Sequence, residues 1–244
     1  ARGSGLPIRA PVLEMIEIGA GGGSVAQVSE LGLLKVGPES SGAEPGPACY
    51  RRGGSAATVT DADLYLGYLD QDFFLGGAMV LDWSRAEAAI VKDVAVPLGL
   101  TVQRAAAGIN SVVNDNMARA AKVHCLERGR DPREYTMVAF GGAGPVHAYR
   151  VAMELGISRI LFPARAGVMS AFGFLVSPPA FELLRTVTVS ISDVDLAATR
   201  ELLDEMEAEG RRMLEGAGIP ARDIGVQREA AVRYHGQTFD LLVP

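Results

Sequence analysis

Three glycines fall within four positions at Gly141-Gly142-Ala143-Gly144, and Pro145, Val146 and His147 follow them. A glycine turn of this kind lets a ligand lie against the main chain without meeting a Cβ. Met137 to Phe140 is a short apolar run that reads as a buried strand emptying into the turn. Pro145 suits the first turn of a helix, where its missing N–H costs nothing, and Gly156 stops that helix. Strand, turn and helix N-terminus together present free N–H groups at the positive end of a helix dipole, which favours a phosphate or another polar ligand. A tight βα turn with no ligand is the competing reading of the same residues. His147, on the first helical turn, either donates to a ligand or packs.

A second glycine run, Gly19-Ala20-Gly21-Gly22-Gly23-Ser24, holds more glycine than a simple hairpin requires. It reads as a place where a ligand or another backbone comes close, or as a permissive loop. Ser40, Ser41 and Glu44 lie in a Pro/Gly-rich stretch, where they either line a site or face solvent. Arg51 and Arg52 are suited to phosphate or carboxylate, or are surface charges. Asp61 or Asp63 reads as a helix N-cap, and Asp61 is also the one candidate catalytic carboxylate, as a metal ligand or an orienter of water near phosphates. Asn110, Asn114 and Asn116 interrupt an otherwise good helix, which implies either hydrogen bonds between helices or a cleft wall. His124, alone on a helix flank, reads as solvated or packed rather than as a ligand. Cys49 has no base that the sequence places beside it, so no nucleophile is nominated.

The elements that must carry these residues follow from apolar periodicity. Residues 8–18 and Val25 to Val28 read as strands joined by the first glycine run, and 35–55 as a loop without periodicity. Helices are predicted over about 84–98 and 101–128, the second with a buried stripe of Ile109, Val112, Val113, Met117 and Ala120. Tyr135 to Phe162 forms a βαβ unit with parallel strands, which points to an α/β core, and Gly167 to Gly173 reads as a closely packed helix. Composition shifts at Ser177-Pro178-Pro179. Beyond it a strand over Thr186 to Ile191, a charged helix over Asp195 to Glu215 and strands over Val226 to Tyr234 and Thr238 to Val243 make a small α+β segment. The division is therefore 1–180 and 181–244.

A net charge of −6 argues against nucleic acid and anionic membrane surfaces as partners. Two cysteines give neither a disulfide framework nor a thiolate metal site, and a reducing, cytoplasmic setting fits them. No apolar run approaches the ~20 residues of a membrane helix. The opening Ala1-Arg2-Gly3-Ser4-Gly5 reads as a chain beginning mid-domain rather than as a signal peptide.

Four stretches taken in order resemble the hydantoinase A / 5-oxoprolinase family, whose larger relatives include acetone carboxylase subunits. They are Ile18 to Ser24, Val36 to Tyr50, Thr58 to Leu64 and Val138 to Ala148, and Val232 to Gln237 is similar to a further family signature. The resemblance implies an actin-like, Hsp70-like ATPase subdomain with a mixed or parallel sheet, followed by the α+β segment. It implies nucleotide contacts at Gly141, Gly142, Ala143 and Gly144, with Gly21, Gly22, Gly23 and Ser24 close to the same cleft, and ATP with Mg²⁺ as cofactors. The implied reaction is hydrolysis of a cyclic amide whose carbonyl oxygen is phosphorylated, together with a hydantoinase B-type partner subunit or domain. The alternatives are a subunit of an ATP-dependent carboxylase of the acetone carboxylase type and a non-catalytic fragment that keeps the fold for assembly. The family's Asp-x-Gly-Gly-Thr phosphate loops are not found in these residues and are expected upstream, so the isolated chain is expected to be inactive. Asp63 stands where the resemblance leads one to expect Asn.

Overall fold

The computed structural model describes residues 15–237 and 240–244. These form two compact units, Met15–Val176 and Ser177–Pro244. The fold is α/β with small sheets: three two-stranded ladders, two antiparallel and one parallel, among the described residues.

In the larger unit β1 (Ser24–Val28) pairs antiparallel with β2 (Leu34–Ser40), placing Ala26 opposite Val36 and Val28 opposite Leu34. The register shifts between Ser24 and Ala26, so Gly37-Pro38 lies in a bulge where the absent proline N–H breaks no ladder bond. Here the expectation of a structureless 35–55 is corrected, because its first residues are half of a hairpin. Of the strand expected over 8–18, only the last four residues are described. Residues 8–14 lie outside the described residues, and 15–18 are exposed without a ladder partner. The first glycine run leads into β1.

Helix α1 (Val59–Tyr65) starts at Thr58, whose hydroxyl accepts from the Asp61 N–H while the Asp61 carboxylate accepts from the Thr58 N–H. This reciprocal capping box leaves neither backbone donor unpaired. Helix α2 (Trp83–Ile90), capped by Asp82, runs through a π-helical turn (Val91–Ala95) into α3 (Val96–Leu98) and ends at left-handed Gly99. The 26-residue α4 (Val102–Glu127) buries Ala105, Ala106, Ile109, Asn110, Val113, Asn114 and Ala118 along one stripe. Val36, Val59, Ile90, Val94, Ile109 and Val113 meet in the main core between the hairpin and α1, α2 and α4. Then β3 (Met137–Val138), α5 (Gly144–Leu155) and β4 (Ile160–Leu161) make the expected βαβ unit, with Met137 opposite Ile160 in parallel register. Val151 and Leu155 of α5 pack against Ala118 of α4. Helix α6 (Met169–Val176) closes this unit.

In the smaller unit α7 (Leu196–Gly216) is capped by Asp195, which accepts from the Ala197 and Ala198 N–H groups. Arg228 reaches Glu207 at 2.6 Å and Asp204 at 2.7 Å, and with Arg211 it holds the Glu207 carboxyl below the usual range. Strands β5 (Ala230–Val232) and β6 (Leu241–Val243) pair antiparallel. Both are shorter than the sequence suggests, and Thr238 lies outside the described residues. Thr186 to Ile191, expected as a strand, is not one here: its alternation is present, but among the described residues no neighbouring strand supplies hydrogen bonds.

Candidate functional site

The second glycine stretch of the chain takes the conformation its composition demands. Gly141 is left-handed at φ 94° and donates its N–H to the Ala166 carbonyl at 2.9 Å, which pins the bend to the segment after β4. Ala143 precedes α5 with no side-chain cap, and Pro145 sits in the first turn. Among the described residues nothing accepts from the Gly142, Ala143 or Gly144 N–H groups. A Cβ added at Gly142 or Gly144 meets nothing within 4 Å. The bend is thus open over its Cα positions, and these three amides stand at the N-terminus of the 12-residue α5.

The first glycine run is gripped rather than free. The Gly22 carbonyl accepts from both the N–H and the hydroxyl of Thr60, each at 2.8 Å. The Gly23 carbonyl accepts from the Ser41 N–H at 2.9 Å and its hydroxyl at 3.2 Å. Ser24 Oγ accepts from the Gly21 N–H at 3.0 Å and donates to the Gly19 carbonyl at 3.3 Å. A Cβ built on Gly22 stands 2.6 Å from Thr60 Oγ1 and 3.6 Å from Ala143 Cβ. The two runs, far apart in sequence, therefore meet at Gly22 and Ala143. Ser41, and Ser40 through its hydroxyl near Gly23, belong to the same corner. Arg51 is exposed and reaches Asp82 only at 3.8 Å.

Behind this surface lie sealed polar groups. Asp61 is fully buried and its carboxylate is filled, Oδ1 by the Cys49 N–H (2.8 Å) and Oδ2 by the Thr58 hydroxyl (2.7 Å) and the N–H groups of Thr58 (2.9 Å) and Ala48 (3.3 Å). It stands at the third position of α1, with Thr58 as the N-cap. The reading of Asp61 or Asp63 as the cap is corrected on that point, and Asp61 has no oxygen free for a ligand. The pattern Thr58-Val59-Thr60-Asp61 is the signal that identifies the cap. Cys49 is equally sealed. Burial, and then the adjacent Asp61 carboxylate, pushes its thiol far above the usual range, so it is not a thiolate nucleophile.

Asn110 and Asn114 hydrogen-bond between helices rather than lining a cleft. Asn110 Nδ2 donates to Asp63 Oδ1 and Asn114 Nδ2 to Asn110 Oδ1, both at 2.8 Å. His147 Nδ1 lies 3.0 Å from Asn114 Oδ1, and its Nε2 lies 3.3 Å from Asp63 Oδ2. His147 is thus packed, at 1% exposure, and takes no part in a ligand surface. His124 meets Arg128 on the exposed flank of α4. No group of three or more His, Cys, Asp or Glu side chains among the described residues is placed to hold a metal ion. No described helix is long and apolar enough to cross a membrane. What the corner can do is hold a polar ligand by backbone donors and exclude side chains from it.

Residues 2–182 match a family described as hydantoinase/oxoprolinase. The chain belongs to the hydantoinase/oxoprolinase family. It is 40% identical over 243 residues to an uncharacterised protein of Methanocaldococcus jannaschii, across 100% of this chain and 35% of the relative. Caprolactamase subunit alpha of Pseudomonas jessenii is 38% identical over 239 residues, 97% of this chain and 34% of that one. The crystal structure of ATP-dependent caprolactamase from Pseudomonas jessenii is similar at a TM-score of 0.72 and 38% identity, over 91% of this chain and 33% of that chain. Nucleotide-free acetone carboxylase is similar at a TM-score of 0.71 and 29% identity, over 92% of this chain and 33% of that chain. The chain spans about a third of the length of the curated relatives it matches.

Proposed function

We propose that this hydantoinase/oxoprolinase chain forms one wall of the nucleotide cleft of an ATP-dependent enzyme that opens cyclic amides. The observation that carries the reading is the bend at Gly142 to Gly144, with open space over its Cα positions and three unpaired amides, set against the Gly22 turn. Those residues fit a nucleotide: they admit a flat or anionic group against the main chain and offer it donors at a helix N-terminus. Gly141, Gly142, Ala143 and Gly144 would hold it, with Gly21 to Ser24 forming the adjoining rim. When bound, ATP would supply phosphoryl transfer to the oxygen of an amide carbonyl whose carbon water alone attacks slowly. The chain's own contribution is placement and exclusion of bulk, since Asp61, Cys49 and His147 are sealed behind the rim. Mg²⁺ would arrive with the nucleotide phosphates. On this reading the subdomain is of the actin-like ATPase type, works in the cytoplasm and pairs with a hydantoinase B-type subunit or domain.

The second reading is an ATP-dependent ketone carboxylase, supported by the nearly equal structural likeness to acetone carboxylase. Phosphate release by the protein at its natural length, with its partner, separates the two. Stimulation by caprolactam, 5-oxoproline or a hydantoin is expected. Stimulation by ketone with bicarbonate, and by none of the cyclic amides, overturns the lactam reading.

A further inference from the structure

Asp63 on α1, Asn110 and Asn114 on α4 and His147 on α5 form a closed ring of four side chains, each at most 7% exposed. Three junctions are hydrogen bonds. The fourth, His147 Nε2 to Asp63 Oδ2, is within ion-pair reach at 3.3 Å but is not aligned as a hydrogen bond, and Nε2 is the buried side-chain atom left without a partner among the described residues.

Counting protons settles what that junction needs. A ring closed by four hydrogen bonds holds four protons, one at each junction. Asn110 and Asn114 bring one each, so Asp63 and His147 must hold two between them. A carboxylate and a neutral imidazole hold only one, and the fourth junction would then set two lone pairs face to face in a buried site. The orientation of the amides decides where the two protons sit: with Asn110 Nδ2 turned to Asp63 and Asn114 Oδ1 turned to His147, one proton is on Nδ1 and the other lies in the fourth junction, whereas both amides turned over would put them on Asp63 Oδ1 and Nε2. Imidazole is intrinsically the more basic of the two groups, which places the extra proton on Nε2.

We infer that His147 is an imidazolium inside the folded protein, and that the ring it closes with Asp63 clamps the first turn of α5 onto α1. The clamp has a consequence for the candidate site. His147 is three residues past Gly144, and Asp63 is on the same short helix as Thr60, which holds Gly22. Asp63 and His147 are therefore positioning residues that set the approach of the two glycine turns. This second half rests on the nucleotide reading above; the protonation of the ring does not.

Two measurements on the protein at its natural length test the halves separately. The first is the ¹⁵N resonance of the His147 ring, assigned by its disappearance in H147F. Protonated-type signals from both nitrogens are expected, and an unprotonated signal from either nitrogen in the wild type overturns the imidazolium. The second is affinity for a fluorescent ATP analogue in Asp63→Asn and Asp63→Leu. The amide of D63N accepts from Asn110 and donates to a neutral His147, closing the ring with four protons. Its affinity is expected within about twofold of wild type, while the Nε2 signal moves to the unprotonated type. D63L leaves Asn110 and His147 unpaired and is expected to bind at least tenfold more weakly with its circular dichroism retained. A tenfold loss in folded D63N, or wild-type affinity in folded D63L, overturns the positioning role. Should D63L fail to fold, the D63N arm decides it. If the wild type takes up no nucleotide, the nucleotide reading and the positioning role fall together, and the His147 spectrum still decides the ring.

Discussion

Replacing Asp61 is the perturbation that best separates a structural anchor from a chemical group. Its carboxylate serves three backbone donors, from Ala48, Cys49 and Thr58, and the Thr58 hydroxyl, in a site with no exposure. Asp61→Ala leaves all four unpaired. At the lower end of the ~1–3 kcal/mol that a buried unsatisfied group costs, the loss is roughly 4 kcal/mol. That is a large share of the ~5–15 kcal/mol that holds a typical domain. Asp61→Asn keeps one acceptor oxygen but turns an amino group towards donors, so it loses about half as much. For a urea slope of ~2 kcal/mol/M, the unfolding midpoint drops by about 2 M for Ala and about 1 M for Asn. Amide exchange at Ala48, Cys49 and Thr58 should quicken before that of α4. A D61N protein that unfolds within ~0.5 kcal/mol of wild type yet has lost all turnover would refute the anchor and return Asp61 to chemistry.

Other consequences follow from the same packing. Gly22→Ala sets a Cβ 2.6 Å from Thr60 Oγ1 and should cost ~1–3 kcal/mol in urea unfolding while breaking the Thr60 hydroxyl bond, visible in a crystal structure of the variant. The Cys49 thiol should resist iodoacetamide in the native protein at pH 8 while half-buried Cys125 reacts, as read by peptide mass spectrometry. Because the folded thiol titrates above its ordinary value of 9.0, the stability it contributes is complete below that pH and is lost as the pH rises through it. Relative to C49A, unfolding free energy should then fall by about 1.4 kcal/mol more per pH unit. Asp195→Ala removes the cap of α7 and should lower the stability of the smaller unit by ~1 kcal/mol, measured by amide exchange along that helix.

Parts of this fold are legible in the sequence because their causes are local. The stripe through Ile109 and Val113 marks α4, and glycine, proline and apolar run together mark the β3 to α5 turn. Strand β2 is obscured because Gly37-Pro38 looks like a breaker, and only the bulge opposite Ser24 to Ala26 shows why it is tolerated. The extended stretch at Thr186 to Ile191 differs for the opposite reason: alternation alone makes no strand, and among the described residues it has no partner edge. At the site, the open bend is readable from its residues, whereas its meeting with Gly22 is not, since no local pattern records a contact across so much chain. The ring of Asp63, Asn110, Asn114 and His147 is half visible. Two asparagines on a good helix announce polar partners, but only the packing of α1 and α5 on α4 names them.

The open face of the Gly141 to Gly144 bend carries the nucleotide reading. Gly142→Val tests it most directly, since the backbone there is outside the left-handed region and an added Cβ meets nothing within 4 Å. Calorimetric titration of the protein at its natural length with ATP and Mg²⁺ should show affinity falling at least tenfold, with the unfolding free energy within ~0.5 kcal/mol of wild type. Undiminished ATP affinity in a folded G142V protein would contradict it.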